Sequence, residues 1–439
     1  MRTPLENISI FRERRARIIQ ELRGSALIVA AHPEKIRNHD VGFAYRQDSN
    51  FYYLTGFEEP HSILIIRPGQ TPETVMFVRP RDRDKETWDG FRFGPEGVEK
   101  SFGIAKAYPI AEFPQMAPQL LKGFDSVHYR IRKNYEADNL VLGALETLKG
   151  MQGRTGFGFL TIHDADTFLG EFRLIKTEPE LVNLRQGCEI TAQGHLAAMK
   201  FTKPGVSERQ VQAVLAHHFY SKGAAREGYN YIVASGNSAT TLHYNFNDQP
   251  CKSGDLLLID AGAEYNYFTG DITRTFPVNG KFTHEQAEVY QAVLKVQKQI
   301  IDSIKPGVVF ADLHQMGISL LTDQMLELGF FSGRKQDIID GLLYKKYYPH
   351  GIGHWLGMDV HDCGLYFKNG QARPIEENMC FTVEPGLYIP ADDEGAPAKY
   401  RGIGIRIEDN IRVTRQGCEN MTSTAPKEIH DLEKVIGIG

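Results

Sequence analysis

The 439-residue chain contains few cysteines, and their positions exclude one common class of metal site. There are five, Cys188, Cys251, Cys363, Cys380 and Cys418, and no two of them form a CxxC pair. A zinc site built from thiolates needs cysteines at close spacing. An odd number of scattered thiols is instead typical of a protein from a reducing compartment.

The sequence also lacks long apolar runs and an excess of positive charge. No run of 18 apolar residues occurs, and the first 22 residues predict a charged amphipathic helix without the apolar centre of a signal peptide. The 50 Lys and Arg residues face 55 Asp and Glu residues, giving a net charge of -5. We therefore expect a cytoplasmic protein with a soluble substrate and with no nucleic-acid or membrane partner.

In the first part of the chain, strand-like apolar runs alternate with helical patterns. The runs SALIVAA, SILIIRP, TVMFVRP and SVHYRI are followed by a helical pattern over Asn134–Leu148, which indicates an α/β domain. No glycine-rich phosphate-binding fingerprint accompanies it. The aromatic and polar segments Arg46–Phe57 and around Trp88 are interpreted as surface loops at the edge of the core.

The pattern changes near Arg173–Glu180, where we place a domain boundary. Thr177, with a proline two residues on and Glu180 at the third position, has the pattern of a capping box that starts a long helix. The sequence therefore predicts an N-terminal domain of residues 1–173 and a second domain of residues 174–439.

A short motif, Lys-Pro-Gly-Val, occurs twice in the second domain, at residues 203–206 and 305–308. Each copy ends one helical run and precedes another, and each leads to strand-like segments that carry acidic residues. Ser207 with Gln210 has the capping-box pattern of a second helix, and Thr283 with Gln286 starts a further helical run. Four matching residues are a weak signal, but their common context predicts a duplicated half-domain.

The segment LLLIDAGAEYNYFTGDITRTF, residues 256–276, contains two aspartates in apolar surroundings. Asp260 ends a buried-strand pattern, and a second aromatic and β-branched segment, which reads as the return strand of a hairpin, carries Asp271 between Gly270 and Ile272. Two carboxylates held side by side in an apolar setting need a shared proton or a cation. For the hairpin alone, two turn-capping aspartates are an equally good interpretation.

Three histidines occur within twelve residues in PHGIGHWLGMDVHDCG: His350, His354 and His361. The glycines between them disfavour a helix and indicate a loop that enters a strand and passes close to another part of the chain. Neither HExxH nor a C2H2 zinc spacing is present. His243 follows a predicted strand at Ile232–Ala234 and is placed on the next strand, where an isolated histidine is more often structural than catalytic.

Two glutamates complete the candidate set. Glu384 ends the apolar strand pattern of MCFTVEPGLY, directly before Pro385-Gly386. In GIGIRIEDNIRV, Arg406 and Glu408 lie on the same side of an alternating strand, so the arginine is a natural partner for a metal-binding carboxylate.

Four carboxylates and one histidine in strand-end positions predict a metal centre rather than a charged core. A carboxylate can bridge two ions, so five side chains suffice for two divalent cations. Oxygen ligands with one imidazole favour Mn²⁺, with Co²⁺, Fe²⁺ or Zn²⁺ as substitutes. Such a site produces a hydroxide nucleophile bridging the metals and polarises a carbonyl. The predicted ligands are Asp260, Asp271, His354, Glu384 and Glu408.

At these residues the sequence resembles the pita-bread metallopeptidases, and within them the bacterial aminopeptidase P family. The resemblance covers nearly the whole chain, and four of its segments hold the family's metal-binding positions, all occupied by the expected residue types. It implies an α/β fold with a creatinase-like N-terminal domain followed by a duplicated pita-bread catalytic domain. The segments are RQDSNFYYLTGFEEP, IDAGAEYNYFTGDITRTFP, HGIGHWLGMDVHD, TVEPGLY and RGIGIRIEDN.

The resemblance also implies a reaction and a role for each residue. The reaction is hydrolysis of the N-terminal Xaa-Pro bond in peptides with proline second. Within the resemblance, Asp260 holds one metal, His354 and Glu384 hold the other, and Asp271 and Glu408 bridge both. Glu384 is the proton carrier, His243 and His361 orient the substrate and stabilise the oxyanion, and His350 lines the site near the proline.

Three other functions compete with this interpretation. A prolidase has the same metal ligands but cleaves only Xaa-Pro dipeptides, and the segment RQDSNFYYLTGFEEP favours the aminopeptidase. A methionine aminopeptidase would leave roughly 170 N-terminal residues surplus. A non-catalytic peptide-binding relative is disfavoured by the complete ligand set.

The resemblance also sets an expectation for assembly and a limit on substrate contacts. We expect a homodimer or homotetramer in which the segments around Tyr52 and Trp88 cover a neighbouring active site. At Phe367–Ala372 the spacing is slightly longer than in the family, so no substrate contact is carried over to that loop.

Overall fold

A computed structural model describes residues 7–156, 158 and 160–437. Its internal contacts divide the chain into two units, Met1–Phe172 and Arg173–Gly439; the boundary predicted from the sequence lies between residues 173 and 174. Residues 1–6 of the predicted N-terminal helix lie outside the described residues. Among the described residues, no helix combines the length and apolar character needed to cross a bilayer.

The first unit is built on a six-stranded mixed sheet. The strands of this unit are β1 (Ser25–Ala30), β2 (Ile36–Asn38), β3 (Val41–Gly42), β4 (Ile63–Ile66), β5 (Thr74–Val78), β6 (Lys106–Pro109), β7 (Ser126–His128) and β8 (Thr161–His163), and its helices are α1 (Ile8–Glu21), α2 (Ser49–Thr55), α3 (Arg83–Asp89), α4 (Gly94–Ser101), α5 (Phe113–Leu120), α6 (Tyr135–Thr155) and α7 (Ala165–Leu174). The order of strands in the sheet is β6-β5-β4-β1-β7-β8, in which β4 pairs antiparallel with β1 and β5 while β7 and β8 extend the other edge in parallel. The four predicted apolar runs provide β1, β4, β5 and β7.

The segment Arg46–Phe57 is not the surface loop that its polar residues suggested. It contains helix α2, which Asp48 caps by accepting a hydrogen bond from the Phe51 backbone N–H at 2.9 Å. Phe51 and Tyr53 of this helix are buried in the core, and two arginines of α1 donate to its last carbonyl groups. Trp88 also lies on a helix, α3, and is 89% exposed.

The second unit packs long helices against several small antiparallel sheets. The helices are α8 (Glu178–Phe201), α9 (Glu208–Ser221), α10 (His284–Ser303), α11 (Phe310–Glu327), α12 (Lys335–Asp340) and α13 (Ile429–Val435), and the strands are β9 (Arg226–Glu227), β10 (Ile232–Ser235), β11 (Leu256–Ala261), β12 (Ala263–Tyr265), β13 (Phe268–Thr269), β14 (Ile272–Pro277), β15 (Phe367–Lys368), β16 (Gln371–Ala372), β17 (Cys380–Val383), β18 (Gly386–Ile389), β19 (Ile403–Arg406), β20 (Asp409–Val413) and β21 (Cys418–Asn420). One sheet has the order β10-β11-β14 and another the order β17-β20-β21, while β18 pairs with β19. The segment Phe367–Ala372 forms an exposed hairpin, β15–β16.

The helix signals of this unit are confirmed. Capping boxes that begin at Thr177, Ser207 and Thr283 start α8, α9 and α10, where each side chain and the residue three positions on satisfy backbone N–H groups that the helix leaves unpaired. Helices α8 and α10 end just before the two Lys-Pro-Gly-Val segments.

The two Lys-Pro-Gly-Val segments make the same backbone contacts. The Gly205 N–H donates to the Cys251 carbonyl and the Gly307 N–H to the Ile375 carbonyl, both at 2.9 Å. In each half a strand follows, and an acidic residue lies nine positions after the contacted carbonyl: Asp260 in one half and Glu384 in the other. The duplicated half-domains therefore present equivalent carboxylates.

Candidate active site

The first two acidic residues lie at the ends of paired strands. Strand β11 pairs antiparallel with β14 so that Asp260 faces Thr273, and Asp271 directly precedes β14. The Tyr229 hydroxyl lies 2.7 Å from Asp260 Oδ1 and also contacts Asp271 Oδ1. The hairpin prediction is therefore correct for the pairing, although the residues between the two strands form the additional strands β12 and β13 rather than a simple turn.

The histidine-rich loop runs along the end of β17 and brings His354 to the same place. The Thr382 N–H donates to the His354 carbonyl at 3.0 Å, and the Glu384 N–H donates to the Ile352 carbonyl at 2.9 Å. A Cβ on Gly353 would lie 1.9 Å from the Thr382 carbonyl oxygen, so this close approach requires glycine. The loop does not continue into a strand as predicted: only Trp355 makes a bridge, to Phe381.

The two glutamates occupy interruptions in extended chain. Glu384 and Pro385 separate β17 from β18, and Ile407 and Glu408 separate β19 from β20. The Thr273 hydroxyl donates to Glu408 Oε2 at 2.6 Å. These interruptions leave the ladder of backbone hydrogen bonds, and both glutamates line a common cavity.

The nine residues predicted for the site line one cavity of about 540 Å³. Ligand atoms of Asp271, His354 and Glu408 all lie within 4.8 Å of one another. His354 Nε2 is 3.3 Å from Asp271 Oδ2 and 3.7 Å from Glu384 Oε1. The cavity lining includes Asp260, Asp271, His354, Glu384, Glu408, His243, His350, His361 and Arg406.

Burial and the charges of neighbouring groups shift the pKa values of the acidic side chains strongly. Burial, together with the charges of the other carboxylates, holds the pKa of Glu408 well above its ordinary value. Burial also raises the pKa of Asp271 and raises that of Glu384 to about 7. For His354, burial opposes protonation, but the hydrogen bond and charge of Asp271 outweigh it and raise the pKa to about 9. The cluster thus draws in protons to offset its negative charge, which is the need that divalent cations meet.

The donor set fits hard or borderline divalent cations. It offers carboxylate oxygens and one imidazole nitrogen around a shared space, and no cysteine lines this cavity among the described residues. Such ligands suit Mn²⁺ and its neighbours better than a thiophilic ion.

Arg406 supports the cluster through Asp260. Its Nη2 donates to Asp260 Oδ2 at 2.6 Å, its Nε donates to the Thr273 hydroxyl at 3.1 Å, and its Nη1 donates to the Tyr388 hydroxyl at 2.9 Å. The predicted contact between this arginine and a carboxylate of the set is present, with Asp260 as the direct partner, and its part in supporting a metal ligand stays a prediction.

The two other loop histidines differ in how they are held. His350 Nδ1 donates to the Gly351 carbonyl at 2.7 Å, and its Nε2 accepts from the Tyr388 hydroxyl at 2.8 Å. Burial and the nearby Arg406 charge lower the pKa of His350 to about 3, so this ring is neutral. The His361 ring lies 4.3 Å from the His354 ring, edge to face.

His243 does not lie on a strand as predicted. The chain leaves β10 through a 3-10 turn at Gly236–Thr240, and His243 follows in an exposed turn at the cavity. The reason is local: the Asn247 side chain bonds the backbone of Val233 and Tyr231, so it replaces the neighbouring strand that a sheet would need.

Comparison with family models decides the classification. The model for metallopeptidase family M24 matches residues 182–415, and the model for the aminopeptidase P N-terminal domain matches residues 11–128. The chain belongs to metallopeptidase family M24.

Relatives and solved structures agree with this assignment to family M24. The chain is 40% identical to the Xaa-Pro aminopeptidase of Haemophilus influenzae over 97% of this chain and 96% of the relative. It is 38% identical to that of Escherichia coli over 97% of each. The structure of the Pseudomonas aeruginosa aminopeptidase PepP superposes with a TM-score of 0.94 at 38% identity, covering 99% of this chain and 98% of that one.

Two tyrosines of this M24 site were not found from the sequence. Tyr229, which touches two acids, lies in the irregular segment GYNY with no periodic pattern to assign its direction. Tyr388 is two residues after Gly386 in a strand pattern, and the same alternation that placed Arg406 gives a usable signal for it.

Proposed function

We propose that this M24 metallopeptidase is an Xaa-Pro aminopeptidase, which releases the first residue from peptides with proline second. The observation that carries the proposal is the convergence of four carboxylates and His354 in one cavity of a chain that matches Xaa-Pro aminopeptidases along nearly its full length. The substrate is accordingly a soluble peptide with a free amino terminus.

We infer that the cluster holds two divalent cations, with Mn²⁺ as the expected metal. Asp260 would hold one and His354 with Glu384 the other, while Asp271 and Glu408 would be shared by both. Bound there, the cations supply an activated water and polarise the scissile carbonyl. This ligand assignment is supported by the mutual distances and by the raised pKa values of the buried acids.

The side chains of the chain itself handle the proton and the substrate. Glu384 accepts a proton from the attacking water and delivers it to the proline nitrogen, the leaving group. His361 and His243 orient the substrate and stabilise the oxyanion. The neutral His350 ring, with both nitrogens already hydrogen-bonded, presents carbon atoms to the proline ring and forms part of an apolar wall.

Proline specificity has a simple physical basis. An Xaa-Pro bond has no N–H on the proline side, and the ring fixes φ near −65°, so enzymes that bind substrate as an added strand lose a donor there. A site that grips the free amino terminus and the carbonyl needs no such donor.

One feature favours an aminopeptidase over a prolidase. A prolidase must bind the carboxylate of its dipeptide on the proline side, which calls for a free cationic side chain. Among the described residues that line the cavity, Arg406 is the one arginine or lysine, and its donors are directed to Asp260, Thr273 and Tyr388. Longer peptides, which carry their carboxylate farther away, suit this lining.

The experiment is product analysis by mass spectrometry with Mn²⁺-loaded protein. An Xaa-Pro dipeptide and a longer Xaa-Pro-Yaa-Zaa peptide are compared. We expect release of the first residue from the longer peptide. Cleavage of the dipeptide alone would make the chain a prolidase, and cleavage of neither would support a non-catalytic peptide-binding protein. The cytoplasmic location stays a prediction from the sequence.

A further inference from the structure

Asp362 of the histidine-rich loop belongs to a buried ion cluster whose residues do not line the cavity. Asp362 Oδ2 accepts from Lys176 Nζ at 2.8 Å, and Asp362 Oδ1 accepts from Arg173 Nη2 at 2.5 Å. The side chains of all three residues are at most 3% exposed. Arg173 Nη2 also donates to Asp359 Oδ2 at 2.8 Å, so two cations face two carboxylates.

The ion cluster restrains a loop whose two ends are joined by a backbone hydrogen bond. Asp362 follows His361 directly, and its backbone N–H donates to the Trp355 carbonyl at 2.9 Å, which closes the loop from Trp355 to Asp362. Trp355 is fully buried and stacks on Tyr366 at 4.9 Å. The loop therefore begins one residue after His354 and ends one residue after His361.

Packing within the loop leaves little freedom for another arrangement. A Cβ on Gly357 would lie 2.1 Å from Asp362 Oδ2 and 2.9 Å from Lys176 Cε. The carboxylate and the lysine stem thus rest directly on the loop backbone. The Thr269 N–H donates to the Gly357 carbonyl at 2.9 Å, which ties the same point to β13, two residues before Asp271.

Stability alone is a poor reason for such a cluster. The cost of removing ions from water largely cancels their attraction, and apolar residues of similar volume often stabilise a core as well or better. The ion pairs fix the orientation of the Asp362 carboxylate, because Arg173 and Lys176 bind it from two different positions. That orientation fixes the adjacent backbone, on which His361 is carried into the cavity.

We propose that Arg173 and Lys176 are positioning residues that act through Asp362 to hold His361 against His354 in the active-site cavity. The proposal rests on the proposed function, since it assigns His361 a part in Xaa-Pro cleavage. In this proposal the first residues of the second unit contribute to the geometry of the active site.

The test compares single and double variants with one matched control. Asp362→Asn keeps the size and removes the charge, and Glu264→Gln does the same to a buried carboxylate that pairs with Arg226 away from the cavity. Because misplacement by about 1 Å can cost up to a hundredfold, we expect Asp362→Asn to lower kcat/KM by about ten- to a hundredfold. Glu264→Gln should leave kcat/KM unchanged.

The decisive measurement is the effect of Asp362→Asn on kcat/KM in a His361→Ala background. If Asp362 acts through His361, adding Asp362→Asn there changes kcat/KM by less than about twofold. Equal losses in both backgrounds would overturn the proposal, as would an unchanged rate in Asp362→Asn. Should Asp362→Asn fold poorly, Lys176→Met/Asp362→Asn removes both charges together and carries the same expectation.

Hydrogen exchange separates this proposal from the proposed function. We expect faster amide exchange over residues 355–364 in Asp362→Asn and not in Glu264→Gln, whatever the substrate. Unchanged exchange there would show that the ions do not hold the loop. A wild-type protein that cleaves no Xaa-Pro peptide, with faster loop exchange in the variant, would refute the function and leave the loop restraint standing.

Discussion

Glu408 lies among three other carboxylates, and this crowding gives its replacement two opposite effects. Glu408→Gln removes an acid whose charged form is disfavoured in this buried cluster, so the metal-free protein should unfold at the same or a higher temperature. With a proposed bridging ligand lost, we expect kcat/KM to fall by more than about a hundredfold.

Metal binding provides the readout for this variant. Wild-type protein should gain about 2.7 kcal/mol in unfolding free energy at a Mn²⁺ concentration a hundred times Kd, and Glu408→Gln should gain much less. Glu419→Gln, outside the cavity, is the control. Full activity in Glu408→Gln would contradict the ligand assignment.

His195 predicts an acid-sensitive step in stability. It is fully buried, its Nε2 donates to the Ala261 carbonyl at 3.0 Å, and burial lowers its pKa from 6.5 to about 4. The unfolded chain therefore binds the proton more readily, and stability should be fully present above pH 6.5 and fall by about 3 kcal/mol as the pH drops toward 4.

Thermal unfolding across that pH range tests this expectation. His195→Gln keeps the donor to Ala261 and removes the titrating ring, so its stability should fall less on acidification. The exposed His217→Gln serves as control and should follow the wild type. Parallel pH curves for wild type and His195→Gln would contradict the assignment.

For individual residues, the sequence indicated the four acids of the site better than the side chains that hydrogen-bond to them. Asp260, Asp271, Glu384 and Glu408 each interrupt an apolar pattern, and a charge in such a place is visible without a structure. Tyr229 reaches two of these acids across 31 and 42 residues of chain, and no local pattern encodes contacts of that length.

Among the elements, the glycine-rich loop carries a steric demand that one substitution can test. Gly353→Ala would place a Cβ 1.9 Å from a carbonyl oxygen of β17, whereas the nearest atom to a Cβ on Gly351 is 3.7 Å away. We expect Gly353→Ala to lose about 1–3 kcal/mol of stability and much of the activity, because His354 must shift with the backbone.

Gly351→Ala is the matched control, since it adds the same methyl group to the same loop. It should keep nearly wild-type stability and kcat/KM, as measured by denaturant unfolding and peptide cleavage. Similar behaviour of the two variants would show that the loop yields easily at Gly353.

Elements were predictable where the signal is local. Capping boxes fixed the starts of α8, α9 and α10, because side chain and backbone satisfy each other within one turn. Helix α2 was missed because what stabilises it lies elsewhere: its carbonyls are bonded by Arg14 and Arg15, about forty residues earlier in the chain. His243 was misplaced for a different reason, since the Asn247 side chain rather than a neighbouring strand satisfies the backbone of Val233 and Tyr231.

For the whole molecule, the oligomeric state stays a prediction. Trp88 is 89% exposed, and large exposed aromatic side chains are frequent at subunit contacts. We expect a homodimer or homotetramer in which this indole contacts a second copy. In sedimentation velocity, Trp88→Ala should sediment more slowly than the wild type, while Tyr135→Ala, also on an exposed aromatic residue, should not. Identical sedimentation of wild type and Trp88→Ala would refute the contact.

The chain has two tryptophans, one in each unit: exposed Trp88 and fully buried Trp355, next to His354. They form a built-in pair of fluorescent reporters. In Trp88→Phe the remaining tryptophan emission comes from Trp355 in the active-site loop alone. Its emission wavelength therefore reports the burial of that loop during unfolding or metal binding. The Trp88 signal of the wild type, obtained by difference, reports separately on the first unit and shifts to the blue if a second copy covers it.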